Sequence, residues 1–341
     1  MIEIFLDIII LFCIYAIITL SLNLQHGYTG IFNLGLYFPI LVGAMITAYV
    51  PGRLAMLLYG IDSRLDYSYN NPTVIDILKN RLIDDPIISI TLLFVTVFIT
   101  IIVCYVLGYL TAYPALKLPA DYLALFMLCL SESTRVIGMQ TDWLTGGVFG
   151  IMVINPFWWL GQNSYYGLSI FIIIATLCVC LIINKVCMSP LGRLLKGIRE
   201  NELTAECVGK DVKKVKRQVL SFAFVILGLA GVLHAFWMGA VVAGGYTRVD
   251  FSYWPWLMMI VGGAGNNLGV LFGAFILVLI RRAMIVSKHA FSFLPFSVVW
   301  LEPILLALML MATLMFRPEG ILPERPQSIR DYMKKVLKLE S

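Results

Sequence analysis

The chain has 341 residues, of which 60% are hydrophobic and 13% are charged, with a mean hydropathy of +0.90. An ordinary soluble domain is about 45–50% apolar and about 25% charged. This excess of apolar residues could not be buried in one water-exposed core, so the composition excludes a soluble globular protein and indicates one covered partly by lipid. The net charge of +5 does not by itself indicate nucleic-acid binding, because the placement of the cations matters more than their sum.

Apolar runs long enough to cross about 30 Å of hydrocarbon recur along the chain. They predict an all-α fold, a polytopic transmembrane helical bundle with eight to ten spans, some of them broken. The chain turns apolar directly after Met-Ile-Glu, without a basic leader region, so the first span is expected to be retained and not cleaved as a signal peptide. The predicted spans are residues 4–24, 31–50, 87–112, 122–139, 167–184, 219–242, 254–269, 271–285 and 298–316.

The charges between the spans predict the orientation of the chain. Residues 186–217 carry eight Lys and Arg against four Asp and Glu, and the tail, residues 317–341, carries six Lys and Arg. Short basic loops stay in the cytoplasm, so both segments are predicted to be cytoplasmic in a multi-pass protein of the inner (plasma) membrane. The polar loop 51–86, and residues 141–166, which contain no Lys or Arg, are then external. A transmembrane domain of residues 1–316 would thus precede a basic cytoplasmic tail.

Two short glycine-bearing sequences resemble each other, Thr-Gly-Ile-Phe-Asn-Leu-Gly at 29–35 and Ala-Gly-Asn-Asn-Leu-Gly at 264–269. Each opens an apolar run in its own half of the chain. Glycine-interrupted segments at corresponding positions are typical of transporter repeats and indicate the translocation path. Polar side chains that hold helices together are the commoner alternative. The candidate path residues in these segments are Asn33, Gly265, Asn266 and Asn267.

Glu132 and Arg135 lie within an otherwise apolar segment. An ionisable group in a membrane usually faces a bundle interior or a water-filled cavity. At spacing i, i+3 the two side chains share one face of a helix and can form an ion pair. They are candidates for a polar path or gate, and the alternatives are a structural ion pair or a helix that ends early near the outer interface.

No motif for catalysis or for a cofactor is present. The sequence lacks a GxxxxGK[ST] phosphate loop, a GxSxG nucleophile elbow and an HExxH zinc motif. Its seven cysteines form no CxxC pair and its three histidines show no ligand spacing, so neither a disulfide scaffold nor a metal site is expected. The chain is predicted not to be an enzyme. If ATP drives its function, a separate polypeptide binds and hydrolyses the ATP.

The most informative segment is residues 189–209, in which apolar residues recur at helical spacing with charges between them. From residue 191 to 208 the pattern predicts one amphipathic helix. A cytoplasmic helix of this kind can dock on a partner protein, and the alternative is a helix that lies on the membrane surface.

This segment resembles the cytoplasmic coupling segment of the LivH/LivM permeases, the permeases of ABC importers for branched-chain amino acids, and the chain as a whole resembles the LivM type. The family pattern is roughly S-x-x-G-R-A-x-x-A-I-R-E-(D/N)-E-x-A-A-E-A-x-G. Thr204 and Cys207 stand where the family usually has alanine. The matching residues are Ser189, Gly192, Arg193, Ile198, Arg199, Glu200, Asn201, Glu202, Ala205, Glu206 and Gly209.

Five further motifs agree with the family in the same order and cover most of the chain. They are L-N-L-x-x-G-Y-T-G at 22–30, D-Y-L-A…E-x-x-R at 121–135, W-L-T-G-G at 143–147, G-G-x-G-x-x-x-G from 262, and F-R-P-x-G at 316–320. Residues 32–36 depart from the family's S-L-G-H, so a histidine near the expected path is missing.

The resemblance implies a permease subunit that works with a second LivH-like permease, two P-loop ATPase subunits that bind ATP, and an extracytoplasmic solute-binding protein. Residues 192–209 would seat in an ATPase groove, where Arg193 and Arg199 would meet acidic groups. Branched-chain or other hydrophobic amino acids are the expected substrates. The alternatives are a urea or short-amide ABC permease and a stand-alone secondary transporter. The latter often carries mid-membrane carboxylates, and Glu132 is the only one clearly placed there by the sequence.

Overall fold

The computed structural model of the chain describes residues 2–61, 66–286 and 301–324. These residues form thirteen α-helices and one two-stranded ladder, which confirms the predicted all-α class. The tail from residue 325 and residues 298–300 of the last predicted span lie outside the described residues. The elements are α1 (Ile2–Leu22), α2 (Tyr37–Leu58), α3 (Asn71–Asp84), α4 (Pro86–Ala115), α5 (Ala120–Gln140), α6 (Asp142–Thr145), β1 (Ile151–Met152), α7 (Ser164–Met188), α8 (Pro190–Glu200), α9 (Glu202–Cys207), α10 (Val212–Met238), β2 (Ala240–Val241), α11 (Trp254–Gly262), α12 (Asn267–Val286) and α13 (Leu301–Phe316).

Seven helical segments are long and apolar enough to cross a membrane, which confirms a polytopic helical bundle. The helix α13 is also apolar but shorter. With it, the described part of the chain reaches the lower limit of the predicted eight to ten spans. The seven segments are Glu3–Tyr28, Tyr37–Leu58, Pro86–Ala115, Ala120–Gln140, Trp158–Met188, Val212–Met238 and Asn267–Met284.

The most deeply buried span is α10, which packs against α4 and α2 and also contacts α1. Glycines allow the backbones of α2 and α10 to approach closely. A Cβ atom on Gly231 would clash with the carbonyl oxygen of Ile40, and one on Gly43 would clash with that of Gly228. Lipid tails are as apolar as leucine, so close packing of this kind is a main source of attraction between helices in a membrane.

The segment predicted as a polar loop, residues 51–86, is largely helical, and the predicted end of the second span at residue 50 was too early. Helix α2 continues through Pro51 to Leu58, since a proline removes only one backbone hydrogen bond and neighbouring helices can compensate for it. Helix α3 buries Val74, Leu78 and Leu82. This spacing of four residues places the three side chains on one helical face against the bundle.

The two ends of the bundle differ in charge. We call the end with α8, α9 and residues 317–324 the basic end, where Lys196 of α8 forms an ion pair with Glu324 at 2.6 Å. At the opposite end, β1 pairs with β2 in an antiparallel ladder, and the Tyr67 hydroxyl donates a hydrogen bond to the Met152 carbonyl at 3.0 Å. Residues 186–217 and the described part of the tail, residues 317–324, therefore lie together at the end away from α3 and the ladder.

Replacing Gly231 with alanine is expected to lower the free energy of unfolding by about 1–3 kcal/mol, because the added methyl group would push α2 and α10 apart. The measurement is thermal unfolding of the purified protein. Gly197→Ala is the matched control, since this helical glycine in α8 has open space around its Cβ position. The control should leave stability unchanged or raise it by up to about 1 kcal/mol. Equal melting temperatures for both variants would contradict the role given to Gly231.

Candidate functional site

The first span is interrupted, but its helical backbone extends to Tyr28, beyond the predicted end at residue 24. Helix α1 continues as a π-helical segment, Asn23–Tyr28, followed by irregular backbone up to Leu36. Gly30 has φ of 76°, a conformation that glycine adopts most easily. Thr29 and Asn33 are fully buried. Apart from the exposed Gly30, most of the irregular segment is therefore enclosed by protein, as non-helical backbone at membrane depth has to be.

The second interruption lies between α11 and α12. Helix α11 is only nine residues long and follows a π-helical turn, Val249–Tyr253. It ends at Gly262, and Gly263 has φ of 112°, which a side chain would strain. The predicted span 254–269 is therefore not one continuous helix. The prediction of discontinuous helices is confirmed in both halves of the chain.

The two interruptions contact each other. The Asn23 side chain donates a hydrogen bond to Asn267 Oδ1 at 2.9 Å and accepts one from the Gly265 backbone N–H at 2.8 Å. A Cβ atom on Gly27 would lie 2.6 Å from the Gly265 nitrogen. The π-helical end of the first span and the glycine-bearing break at residues 264–267 thus lie side by side, and their polar groups satisfy one another.

The candidate path residue Asn33 is used entirely for internal hydrogen bonds. Its Nδ2 donates to Gln25 Oε1 at 2.8 Å and its Oδ1 accepts from the Gly35 backbone N–H at 2.8 Å. Its carbonyl accepts from the indole of Trp256 in α11 at 3.0 Å. Since Asn33 is fully buried, its position favours the structural alternative, in which it holds the irregular segment to α11.

Asn266 and Asn267 are neighbours in sequence with different surroundings. Asn267 is buried and bonded to Asn23, whereas Asn266 is half-buried and caps α12. The Asn266 Oδ1 accepts from the Leu268 backbone N–H at 3.1 Å, and its Nδ2 donates to the Leu322 carbonyl at 3.3 Å. Asparagine is a preferred residue at this helix position. Both side chains therefore stabilise the break.

The amphipathic segment is two helices, not the single helix predicted from residue 191 to 208. Helix α8 ends at Glu200 and α9 starts at Glu202. Between them Asn201 is extended, with φ of −158° and ψ of 109°, and its Oδ1 accepts from the Thr204 backbone N–H at 3.0 Å. The asparagine side chain starts a new helix by capping it, which competes with continuing the old one.

The side chain of Arg199 turns inward to the helix breaks. Its guanidinium donates to the Gly27 carbonyl and binds Glu324 at 2.8 Å and Glu200 at 2.9 Å. Burial alone lowers the pKa of Arg199, but the hydrogen bonds to Glu200 and Glu324 outweigh this, so the pKa is raised and the charge is retained. Arg199 is therefore occupied within the chain, which differs from its predicted contact with a partner's acidic groups.

The other residues of the coupling motif divide into a buried and an outer set. Gly192 and Ile198 are buried, and a Cβ on Gly192 would clash with the Cys187 carbonyl. Ala205 is half-buried. The exposed motif residues are Arg193, Glu200, Asn201, Glu202, Glu206 and Gly209.

Two large apolar side chains, Leu203 and Val208, are 73% and 72% exposed on the same segment. We call the exposed residues Arg193, Leu203, Glu206 and Val208 the docking face, after the role proposed for them below. Its apolar members had no place in the family motif and were missed by the sequence analysis.

Residues after α13 bind the second interruption, and this was also missed. The backbone N–H groups of Ile321 and Leu322 donate to the carbonyls of Val261 and Gly262 at 2.9 and 3.1 Å. Two residues later, Glu324 binds Lys196 and Arg199 of α8. This stretch therefore connects α8 to the break between α11 and α12. Glu324 is a single glutamate among the charged residues of the tail, so the sequence alone did not indicate its contact with α8.

Glu132 and Arg135 form the predicted ion pair, with Arg135 Nε 3.2 Å from Glu132 Oε1. The Tyr37 hydroxyl, at the start of α2, donates to the other carboxylate oxygen at 2.7 Å. The pair lies beyond the midpoint of α5, and the side chains are 37% and 24% exposed. An ion pair facing lipid at that depth would be costly, so this face requires water or another protein.

A second ion pair inside the bundle corrects the expectation that Glu132 is the only mid-membrane carboxylate. Asp250, in the π-helical turn before α11, binds Arg281 of α12, and Arg281 also donates to the Tyr15 hydroxyl of α1. These residues line a cavity of about 360 Å³ together with His234 and Tyr246. Asp250 lies in a sequence region that looks like a loop, so only the folded chain places it beside α1.

A helical membrane bundle with two interrupted segments in contact is an arrangement typical of transporters. Residues 4–314 match the family model described as "Branched-chain amino acid transport system / permease component". The chain therefore belongs to this family of permease components.

Curated relatives agree with this assignment. The chain is 30% identical over 336 residues, 97% of each chain, to the "Probable branched-chain amino acid transport permease protein LivM" of Methanocaldococcus jannaschii. It is 27% identical over 246 residues to the "High-affinity branched-chain amino acid transport system permease protein LivM" of Escherichia coli, which covers 64% of this chain and 55% of that protein. The protein of the same name from Salmonella typhimurium is similar over the same extent. No solved structure matches the chain significantly.

A double-mutant cycle tests the contact between the two interruptions. Asn23→Ala and Asn267→Ala are each expected to destabilise the protein, with a coupling energy of about 0.5–2 kcal/mol because they remove the same hydrogen bond. The measurement is thermal unfolding of the four proteins in the cycle. Asn23→Ala with Asn163→Ala, at the opposite end before α7, is the matched control pair and should be additive. A coupling energy of zero between Asn23 and Asn267 would refute the proposed link.

Proposed function

We propose that this chain is a permease subunit of an ABC importer that moves branched-chain or other hydrophobic amino acids into the cell. ATP hydrolysis on separate ATPase subunits would drive transport. Family membership and the names of the relatives support the amino-acid transport role. The observation that carries the coupling proposal is the contact of Arg199, in the segment that resembles the family's coupling motif, with Gly27 and Glu324 at the two helix breaks.

The coupling route starts at the docking face, which would seat on an ATPase. Its exposed Leu203 and Val208 would bury apolar surface there, and Arg193 and Glu206 would contribute charged contacts. Because α8 is bound through Lys196 and Arg199 to Glu324, a displacement of α8 by the ATPase would also move the break between α11 and α12. The Gly27 contact would carry the same displacement to the end of α1.

The basic end would face the cytoplasm, where the ATPases bind ATP, and the end with α3 and the β-ladder would receive an extracytoplasmic solute-binding protein. The cation-rich loop 186–217 at the basic end supports this orientation. In this orientation residues 1–316 would form the domain in the inner (plasma) membrane, and residues 317–341 would form a cytoplasmic tail.

A second, LivH-like permease would cover the exposed face of α5. The half-exposed pair of Glu132 and Arg135 supports this, because water between two subunits would solvate charges that lipid cannot. The substrate would then pass between the subunits, with these two residues beside its path as a gate. Alternation between outward-open and inward-open states would follow the nucleotide state of the ATPases.

Two substitutions should separate docking from coupling. Leu203→Glu, on the docking face, is expected to abolish co-purification of the ATPase subunits because it places a charge in an apolar contact. Arg199→Gln is expected to retain the ATPases but to lower ATP-driven uptake about tenfold, since it breaks charged hydrogen bonds to the helix breaks. The measurements are subunit retention on an affinity column and uptake by reconstituted vesicles.

Lys185→Gln, an exposed change near the end of α7 and outside the docking face and the helix breaks, controls for the effect of altered charge and should change neither measurement. If no P-loop ATPase accompanies the wild-type chain, the ABC proposal fails. If the Arg199→Gln variant loses the ATPases and the Leu203→Glu variant retains them, then Arg199 is the docking residue and the roles assigned to Arg199 and Leu203 are wrong.

The mid-bundle pair of Asp250 and Arg281 favours one rival, a stand-alone secondary transporter coupled to an ion gradient. In vesicles with the complete complex, leucine uptake should require ATP and should persist when an ionophore collapses the ion gradients. Uptake without ATP that the ionophore abolishes would establish the rival. Urea uptake in place of leucine uptake would keep the ABC proposal and change its substrate to a short amide.

A further inference from the structure

A basic cavity of about 270 Å³ lies between the end of α4 and the start of α10, at the basic end of the bundle. It belongs to neither helix interruption. Four of its lining side chains are cations, three contributed by α10 and one by the turn after α4. The lining residues are Ala112, Tyr113, Leu116, Lys117, Asp211, Lys213, Lys214 and Arg217.

The positive charges of this cavity are not neutralised within the described residues. None of Lys117, Lys213, Lys214 and Arg217 has an ion pair there, whereas the adjacent Lys216 is paired with Glu202. The buried Arg217 Nε likewise has no hydrogen-bond partner among them.

The one acidic group in the lining does not cancel this charge. Asp211 caps α10 by accepting from the Lys214 backbone N–H at 2.9 Å, so its carboxylate is directed to the helix backbone. The amino-terminal end of the α10 helix adds positive potential at the same place. The cavity therefore has the electrostatics of an anion site.

The cavity opens beside an exposed apolar face of α4. Tyr109, Leu110 and Tyr113 are 41%, 61% and 60% exposed on that face. The Arg217 guanidinium lies 4.4 Å from the centre of the Tyr109 ring, and Lys117 Nζ lies 4.1 Å from that of Tyr113. Aromatic rings and cations at the end of a transmembrane helix are typical of the headgroup level of a bilayer. An anion bound here would thus have apolar surface for hydrocarbon chains directly next to it.

We propose that this cavity binds the phosphate headgroup of an anionic phospholipid, with the acyl chains lying along the exposed face of α4. Basic pockets between helices on the cytoplasmic side of a membrane bind such headgroups. The bound phosphate would contact cations of α10 and Lys117 in the turn directly after α4, and so would hold together two of the most extensively packed helices of the bundle.

The test measures lipid binding to the purified full-length chain. Native mass spectrometry monitors the binding while the chain is titrated with phosphatidylglycerol or with phosphatidylcholine. Phosphatidylglycerol should bind more tightly, and the double substitution Lys213→Gln with Lys214→Gln should weaken its binding roughly 30-fold. Each cation near an anionic headgroup contributes about a factor of five, which is the basis of this value. The matched control, Lys79→Gln with Arg81→Gln on α3 at the opposite end, removes the same charge and should change binding less than about twofold.

Several results would overturn the proposal. Unchanged phosphatidylglycerol binding by the variant would do so, as would equal binding of phosphatidylcholine. Displacement of the lipid by millimolar inorganic phosphate would identify a site for free phosphate instead. Loss of ATPase subunits by the variant, with lipid binding intact, would identify a protein contact.

If the double variant does not fold, the salt dependence of the wild type decides the question. Tight phosphatidylglycerol binding that weakens steeply with salt supports the site, and binding that is insensitive to salt excludes it.

Discussion

An interrupted helix in a membrane has to satisfy its freed backbone groups within the protein, because lipid offers no hydrogen bonds. The two interruptions of this chain meet that requirement together. Asn23 binds the backbone of Gly265 and the side chain of Asn267, and Trp256 binds the carbonyl of Asn33. Each break therefore supplies the partners of the other. Neither irregular segment could persist at this depth if the other half of the chain were packed elsewhere.

Because the two breaks lie together, the charged helix α8 at the surface contacts both of them. Arg199 donates a hydrogen bond to the carbonyl of Gly27. Glu324 connects Arg199 and Lys196 to the stretch whose backbone pairs with Gly262. Packed helices change between discrete arrangements and do not deform continuously. A helix fixed at both breaks is thus suited to shift a bundle between two states, as the proposed importer requires.

Two exposed features of the described surface bear on the partners proposed for the chain. An ion pair half-exposed on α5 and the exposed side chains of Leu203 and Val208 are unfavourable on a solitary membrane protein, in lipid and in water respectively. They lie on different faces, one along the membrane helices and the other at the basic end. Two kinds of partner, one within the membrane and one outside it, fit this distribution better than a stand-alone transporter does.

The sequence by itself determined the helical membrane class, the family and the presence of breaks, because hydrophobic runs, glycines and ordered motifs are local signals. It also placed Glu132 and Arg135 on one helix face, since their spacing alone brings them together. Only the tertiary structure decided that Asn201 divides the coupling segment, that Arg199 points inward to Gly27, and that Asp250 meets Arg281. These contacts join residues far apart in the chain or depend on competition between capping and helix continuation. Such outcomes are set by which groups packing brings within hydrogen-bond distance, and no spacing along the chain encodes that.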